Sequence, residues 1–201
     1  MKVAISILCL LLVSVGISHA AGDIEAGRKK GSECNACHGK DGEGMSPVPP
    51  LAGLSVEYFI RQMNAYKAGG REHEMMQMFA LQTNDEDTAN LAAYYASMST
   101  PCGPEFAVSA QTDAGPKAGD IGKGKGKAAE GGVSSCNGCH GLHGRGDPEN
   151  PRVAGMAEEY FIHQMNAFKS GEREHLMMQV VVQKLSDQDM VDLAAYYASL
   201  H

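Results

Sequence analysis

Tyr58, Phe59, Gln62, Met63 and Tyr66 recur at the spacing of one helical face, and that stripe predicts an amphipathic helix from about Ser55 to Ala68. The same stripe returns between about Ala157 and Ser170. A second kind of segment is marked by its start. Asn84-Asp85-Glu86-Asp87 and Ser186-Asp187-Gln188-Asp189 each place a capping side chain ahead of acids, where a helix N-terminus favours both. They predict helices from Asp85 to Met98 and from Asp187 to Leu200. A further helix is expected from Ile24 to Cys37, with a more glycine-broken counterpart in the second half. No run alternates apolar and polar residues as a strand does. The pattern predicts an all-α protein with three helices in each half.

The halves are copies of one another. A shift of 102 residues aligns Cys34–Ser99 with Cys136–His201 without a gap, and about half of the positions are identical. Tyr58-Phe59-Ile60 returns as Tyr160-Phe161-Ile162, Arg71-Glu72-His73 as Arg173-Glu174-His175, and Leu91-Ala92-Ala93-Tyr94-Tyr95 as Leu193-Ala194-Ala195-Tyr196-Tyr197. Upstream of Cys136 the register slips, because Gly27 matches Gly124 only if the second half carries an insertion. The stretch 100–118 holds Pro101, Pro104 and Pro116 among small polar residues and reads as a linker. This gives an N-terminal domain at 21–99 and a C-terminal domain at 119–201.

Residues 1–20 look like a targeting segment. Lys2 precedes an apolar stretch from Val3 to Ile17, and Ser18-His19-Ala20 supplies small residues for cleavage. The stretch is too short to span a membrane comfortably. Export with cleavage after Ala20 is expected, with periplasmic residence. Cys9 leaves with this segment.

The formal net charge of −7 argues against nucleic acid and suits a partner with a basic docking patch. Each half approaches the size at which an apolar core alone is marginal, so a bound cofactor would supply missing apolar mass. The cysteines name that cofactor. Cys34-Asn35-Ala36-Cys37-His38 and Cys136-Asn137-Gly138-Cys139-His140 both have the spacing of covalent haem attachment. Two thiols one helical turn apart can each form a thioether, and the following His38 or His140 can give the iron an imidazole nitrogen. A zinc knuckle would not need a His after each pair, and no βαβ pattern accompanies a redox dithiol. Two covalently bound haem c groups are therefore expected, on Cys34, Cys37, Cys136 and Cys139.

A ligand on the other side of each iron should recur in both halves. Of twelve Met residues, the pairs that do are Met63/Met165, Met75/Met177 and Met76/Met178. Met63 and Met165 lie on the apolar helical face and read as core. Met75, Met76, Met177 and Met178 follow a Gly-containing break and read as loop residues able to reach over the haem. His73 and His175 recur as rivals.

With Cys-x-x-Cys-His-Gly and the runs Pro49-Pro50-Leu51-Ala52-Gly53 and Pro151-Arg152-Val153-Ala154-Gly155, the chain resembles the dihaem cytochrome c4 family over essentially its whole mature length. The resemblance implies two tandem class I cytochrome c domains. The family's spacing back from Leu91 and Leu193 selects Met76 and Met178 as axial ligands. It implies that the carbonyls of Pro49 and Pro151 hold the Nδ1 protons of His38 and His140, and that Gly27 and Gly124 admit close approach near Tyr94 and Tyr196. Arg71 and Arg173 could meet haem propionates or be solvated loop charges. The function implied is electron carriage, with no catalysis, from a quinol-oxidising complex toward a terminal oxidase; peripheral membrane association is compatible with it. The rival readings are an acceptor subunit of a periplasmic dehydrogenase, a dihaem peroxidase, or an enzyme acting on a small sulfur compound. Cys102 has no counterpart and reads as an intermolecular disulfide partner, an exposed thiol or an inert buried one.

Overall fold

Asp23 starts the first helix, its carboxylate accepting from the backbone N–H groups of Glu25 and Ala26 at 2.8 and 3.0 Å. The computed structural model describes residues 22–98, 119–130 and 135–200. The targeting segment, the linker and Cys102 lie outside these. The first half runs α1 (Ile24–Gly31), α2 (Asn35–His38), α3 (Val56–Ala68), α4 (Glu74–Gln82) and α5 (Asp85–Ser97). The second repeats it as α6 (Ile121–Ala129), α7 (Cys136–Cys139), α8 (Glu158–Ser170), α9 (Leu176–Val182) and α10 (Asp187–Ala198). A 3₁₀ turn at Leu142–Gly144 follows α7. Among the described residues the extended pairings are two isolated bridges, Met45 with Val48 and Arg71 with Arg173. The fold is all-α.

Two sequence expectations change. The helix expected from Ile24 to Cys37 is two pieces. The Ser32 hydroxyl donates to the Lys29 carbonyl at 2.8 Å, a local bond that competes with helix continuation, and the chain turns before α2. The methionine segments, expected as loops, are the first turns of α4 and α9. His73 and His175 cap them, their ring nitrogens accepting from Met76 N and Met178 N at 3.3 Å. Met, Gln, Leu and Ala are good helix formers. The segments escaped notice because Met75, Met78, Phe79 and Leu81 remain exposed, so no clean apolar stripe marks α4.

Each half has its own core, built from equivalent positions. Phe59, Met63, Tyr66, Leu91 and Tyr95 fill the first; Phe161, Met165, Phe168, Leu193 and Tyr197 fill the second. Across each core the first helix crosses the last through a glycine. A Cβ on Gly27 would sit 2.0 Å from Asn90 O, and one on Gly124 2.0 Å from Asp192 O. The crossing is pinned by Asp23 N–H donating to Asn90 Oδ1 at 2.7 Å, and by Asp120 N–H donating to Asp192 Oδ1 at 2.8 Å. The extra residues before Cys136 therefore leave the second crossing intact. Glu72 N–H donates to Glu172 O at 2.8 Å and Glu174 N–H to Gly70 O at 2.7 Å, joining the halves around the Arg71–Arg173 bridge. No helix of the described residues is long and apolar enough to cross a membrane.

Candidate cofactor sites

The Cys-x-x-Cys-His segments fold as single helical turns. His38 N–H donates to Cys34 O at 2.9 Å and His140 N–H to Cys136 O at 2.7 Å. In the second half the Ser135 hydroxyl caps the turn, accepting from Gly138 N–H at 3.0 Å. This winding puts the two thiols of each motif on one side, a turn apart. Cys34 and Cys136 are half-buried and Cys37 and Cys139 exposed, and none of the four is tied up in a disulfide. Burial pushes the Cys34 and Cys136 thiols up from their ordinary pKa.

His38 Nδ1 donates to the Pro49 carbonyl at 2.8 Å, and His140 Nδ1 to the Pro151 carbonyl at 2.9 Å. With the proton on Nδ1, Nε2 carries the lone pair in the neutral ring. Burial is the main cause of a lowered pKa at both rings, partly opposed by the Pro carbonyls. For His38 the charges of His73 and Arg71 lower it further. Each imidazole is thus held neutral, oriented and ready to donate to a metal.

Met76 is half-buried against the core of Phe59, Met63 and Tyr95, and Met178 against that of Phe161, Met165 and Tyr197. Their sequence neighbours point outward: Met75 is 53 % exposed and Met177 61 %. Met63 and Met165 sit in the cores. His73 and His175 have one ring nitrogen engaged in capping the same helices.

The donor set fits a covalent haem in each half: paired thiols, an oriented neutral imidazole, and a thioether packed on the core. Tyr95 Oη is buried in the first core without a hydrogen-bond partner, whereas Tyr197 Oη donates to Asn137 Oδ1 at 3.2 Å. Burial pushes both phenols well up.

Sequence reading left Arg71 and Arg173 undecided, and the solvated alternative is wrong. They are 7 % and 8 % exposed and lie between the halves, among Tyr58, Gln62, Tyr160 and Gln164. The available signal was that all six residues recur at the repeat offset, including two charged ones in a connecting segment, where copies are free to diverge.

A family model described as Cytochrome c matches residues 24–99 and 123–201. The cytochrome c4 of Azotobacter vinelandii is 34 % identical over 100 % of both chains. A thiosulfate dehydrogenase electron acceptor of Stutzerimonas stutzeri is 30 % identical over 83 % of this chain and 78 % of its own. The crystal structure of reduced recombinant cytochrome c4 from Pseudomonas stutzeri superimposes with a TM-score of 0.74 at 29 % identity, covering 90 % of this chain and 100 % of that one.

Proposed function

Because the chain belongs to the cytochrome c family and is a dihaem electron-carrying cytochrome with two covalently bound haem c groups, we propose that it shuttles single electrons in the periplasm from a quinol-oxidising complex toward a terminal oxidase. The observation that carries this reading is the duplication of one complete donor set. Both halves present Cys-x-x-Cys-His, a Pro-held imidazole and a core-packed Met at the same register. In this reading His38 and Met76 ligate the first iron, and His140 and Met178 the second. Bound haem supplies one-electron exchange between Fe(II) and Fe(III).

The chain's own residues do the rest. Cys34, Cys37, Cys136 and Cys139 fix the haems covalently. The Pro49 and Pro151 carbonyls keep one proton on each Nδ1, so the other nitrogen stays a donor in both redox states. Met76 and Met178 would each offer the iron a soft thioether, which favours the ferrous state. With an imidazole and a thioether both supplied by the chain, each centre would need little rearrangement during transfer and would leave little room for a substrate. The domain bounds 21–99 and 119–201, joined by the linker 100–118, belong to the same reading.

Pre-reduced protein is expected to be reoxidised rapidly by native membranes containing a terminal oxidase. The rate should fall several-fold as salt rises, since an acidic carrier meets a basic dock. Stopped-flow spectroscopy measures it. A specific observation favours one alternative, an acceptor subunit of a dehydrogenase: the similar Stutzerimonas stutzeri protein is named a thiosulfate dehydrogenase electron acceptor. Membranes that leave the reduced protein untouched, while purified thiosulfate dehydrogenase reduces the oxidised form, would establish that role instead.

Export is part of the proposal. The apolar leader predicts removal of residues 1–20. N-terminal sequencing of protein from the periplasmic fraction should begin at Ala21; Met1 on membrane-bound protein would mean a retained anchor.

A further inference from the structure

One loop differs in charge between two otherwise matching halves. Val153 N–H and Ala154 N–H both donate to Gly144 O, at 2.8 and 2.9 Å, and Asp147 N–H donates to Asn150 O at 2.9 Å, closing a loop. Gly146 packs so tightly on the returning chain that a Cβ there would lie 2.5 Å from Arg152 N. Arg145 and Arg152 are therefore brought together at the mouth of this loop. The first half closes the same loop, Leu51 N–H and Ala52 N–H donating to Gly42 O at 2.8 and 3.0 Å. Its residues at the two arginine positions are Glu43 and Pro50. The backbone is shared; the two cations belong to the second half alone.

The loop docks on the first half. Ser55 Oγ donates to Pro148 O at 2.7 Å and Arg61 Nη2 to Glu149 O at 2.6 Å. Ala157 stands at the position equivalent to Ser55 and has no hydroxyl to return that bond, so the docking is one-sided. Beside it lies a cleft of about 290 Å³, between Gly53 and Ser55 of the first half and Arg145, Asp147, Pro151 and Arg152 of the second. Liquid water takes about 30 Å³ per molecule, so the space holds a tetrahedral oxyanion with part of its hydration shell.

The walls carry a surplus of positive charge. Among the described residues neither Arg145 nor Arg152 forms an ion pair with a carboxylate. Arg152 spends Nε on the Ala154 carbonyl at 2.9 Å, a bond that fixes the guanidinium without neutralising it. Ser55 caps the thirteen-residue helix α3, so the positive end of a helix dipole borders the cleft as well. Asp147 is the opposing charge, and its oxygens are engaged by its own loop. They accept from Glu149 N–H at 2.8 Å, Asn150 N–H at 2.7 Å and Asn150 Nδ2 at 3.1 Å.

We propose that this cleft binds a divalent tetrahedral oxyanion of the sulfate class, which clamps the two halves and lowers the reduction potential of the second haem relative to the first. Planar guanidiniums suit such anions, and two of them outweigh one engaged carboxylate. The path to the second cofactor site is geometric. Pro151 lines the cleft, and its carbonyl accepts the Nδ1 proton of His140 at 2.9 Å. An anion in the cleft favours the more positive, ferric state of the iron that His140 would ligate. The effect on potential rests on the haem assignment; the binding itself does not.

The test titrates the full-length dihaem protein with sodium sulfate in a calorimeter, against sodium chloride at equal ionic strength. Wild-type protein is expected to bind one sulfate saturably and to melt at a higher temperature with it. Arg145→Gln and Arg152→Gln should each weaken binding tenfold or more, and Arg145→Lys should keep part of it. Arg145 is exposed, so its variants report on the site even if Arg152→Gln disturbs the loop. In a redox titration with each haem followed through its own NMR methyl resonances, sulfate should lower the second haem's ferrous-to-ferric ratio several-fold at fixed electrode potential. The first haem should move less, and neither should respond in Arg145→Gln. No saturable sulfate binding, or binding undiminished in both Gln variants, would mean an adventitious ion only and would overturn the site. Saturable binding that moves both haems equally would overturn the link through Pro151.

Discussion

Met76→Ala is expected to open the first iron to carbon monoxide and to abolish that haem's weak sulfur-to-iron absorption in the near-infrared, leaving the second haem untouched. Met178→Ala should do the converse. The expected fall in potential is on the order of 0.1–0.3 V, a sizeable part of the roughly 0.8 V that axial ligands span among haem proteins. The direction follows from the thioether's preference for the ferrous iron. Met75→Ala and Met177→Ala should change little, because those side chains are 53 % and 61 % exposed and point away from the cores that Met76 and Met178 touch. His73→Ala should loosen the start of α4 by removing its cap, without replacing the ligand. Carbon monoxide binding to the reduced proteins and near-infrared spectra of the oxidised ones measure all of these. If Met75→Ala removes the band and Met76→Ala does not, the ligand is its neighbour. If His73→Ala alone removes ligation, the centres are bis-imidazole and the oxidase-donor proposal loses its support.

Gly124→Ala is expected to destabilise the second half by about 3 kcal/mol or more, the upper range for overpacking, because the obstacle is backbone. The new Cβ would meet Asp192 O at 2.0 Å and Asp192 C at 2.6 Å, and neither can rotate away. Two residues on, Gly126→Ala should act in the opposite sense. Nothing lies within 4 Å of a Cβ there, and the residue is inside α6. The intrinsic gain for Ala over Gly in a helix is about 0.8–1.0 kcal/mol. At about 4–8 °C per kcal/mol for a domain of this size, the two variants should melt well over ten degrees apart. Gly27→Ala should mirror Gly124→Ala in the first half, where the Cβ meets Asn90 O at 2.0 Å. Thermal melts of the haem-loaded proteins, followed by circular dichroism, check the pair. Equal melting temperatures for Gly124→Ala and Gly126→Ala would show that α6 does not cross α10 at Gly124.

The helices most legible in the sequence are those whose own residues advertise them. α3 and α8 carry an apolar stripe, and α5 and α10 begin with a capping side chain and acids. In the structure Asn84 Oδ1 accepts from Asp87 N–H at 2.8 Å and Ser186 Oγ from Asp189 N–H at 3.1 Å. α4 and α9 were illegible as helices for a physical reason. They are held by a histidine cap, an unusual choice for that position, and they leave apolar residues in the open, so neither a standard cap nor a clean stripe marks them. The break between α1 and α2 was hidden because its marks, Gly31 at the end of α1 and a Ser32 hydroxyl donating to Lys29 O, are residues that also occur inside helices.

By itself the sequence determined the cofactor and its count. Haem attachment needs only two thiols and an imidazole at fixed local spacing, and Cys34, Cys37 and His38, like Cys136, Cys139 and His140, satisfy that within one turn of chain. It also determined the all-α class and the duplication, since periodicity, caps and repeats are written residue by residue. Tertiary structure decided what happens between the copies. Arg71 meets Tyr160 across 89 residues of chain, and Arg173 meets Tyr58 across 115. No local pattern encodes that meeting. Burying a guanidinium depends on which surface folds over it, and here that surface belongs to the other half. The same arginines that read as loop charges in a single copy become, when two copies face each other, the most heavily buried cations described in the protein.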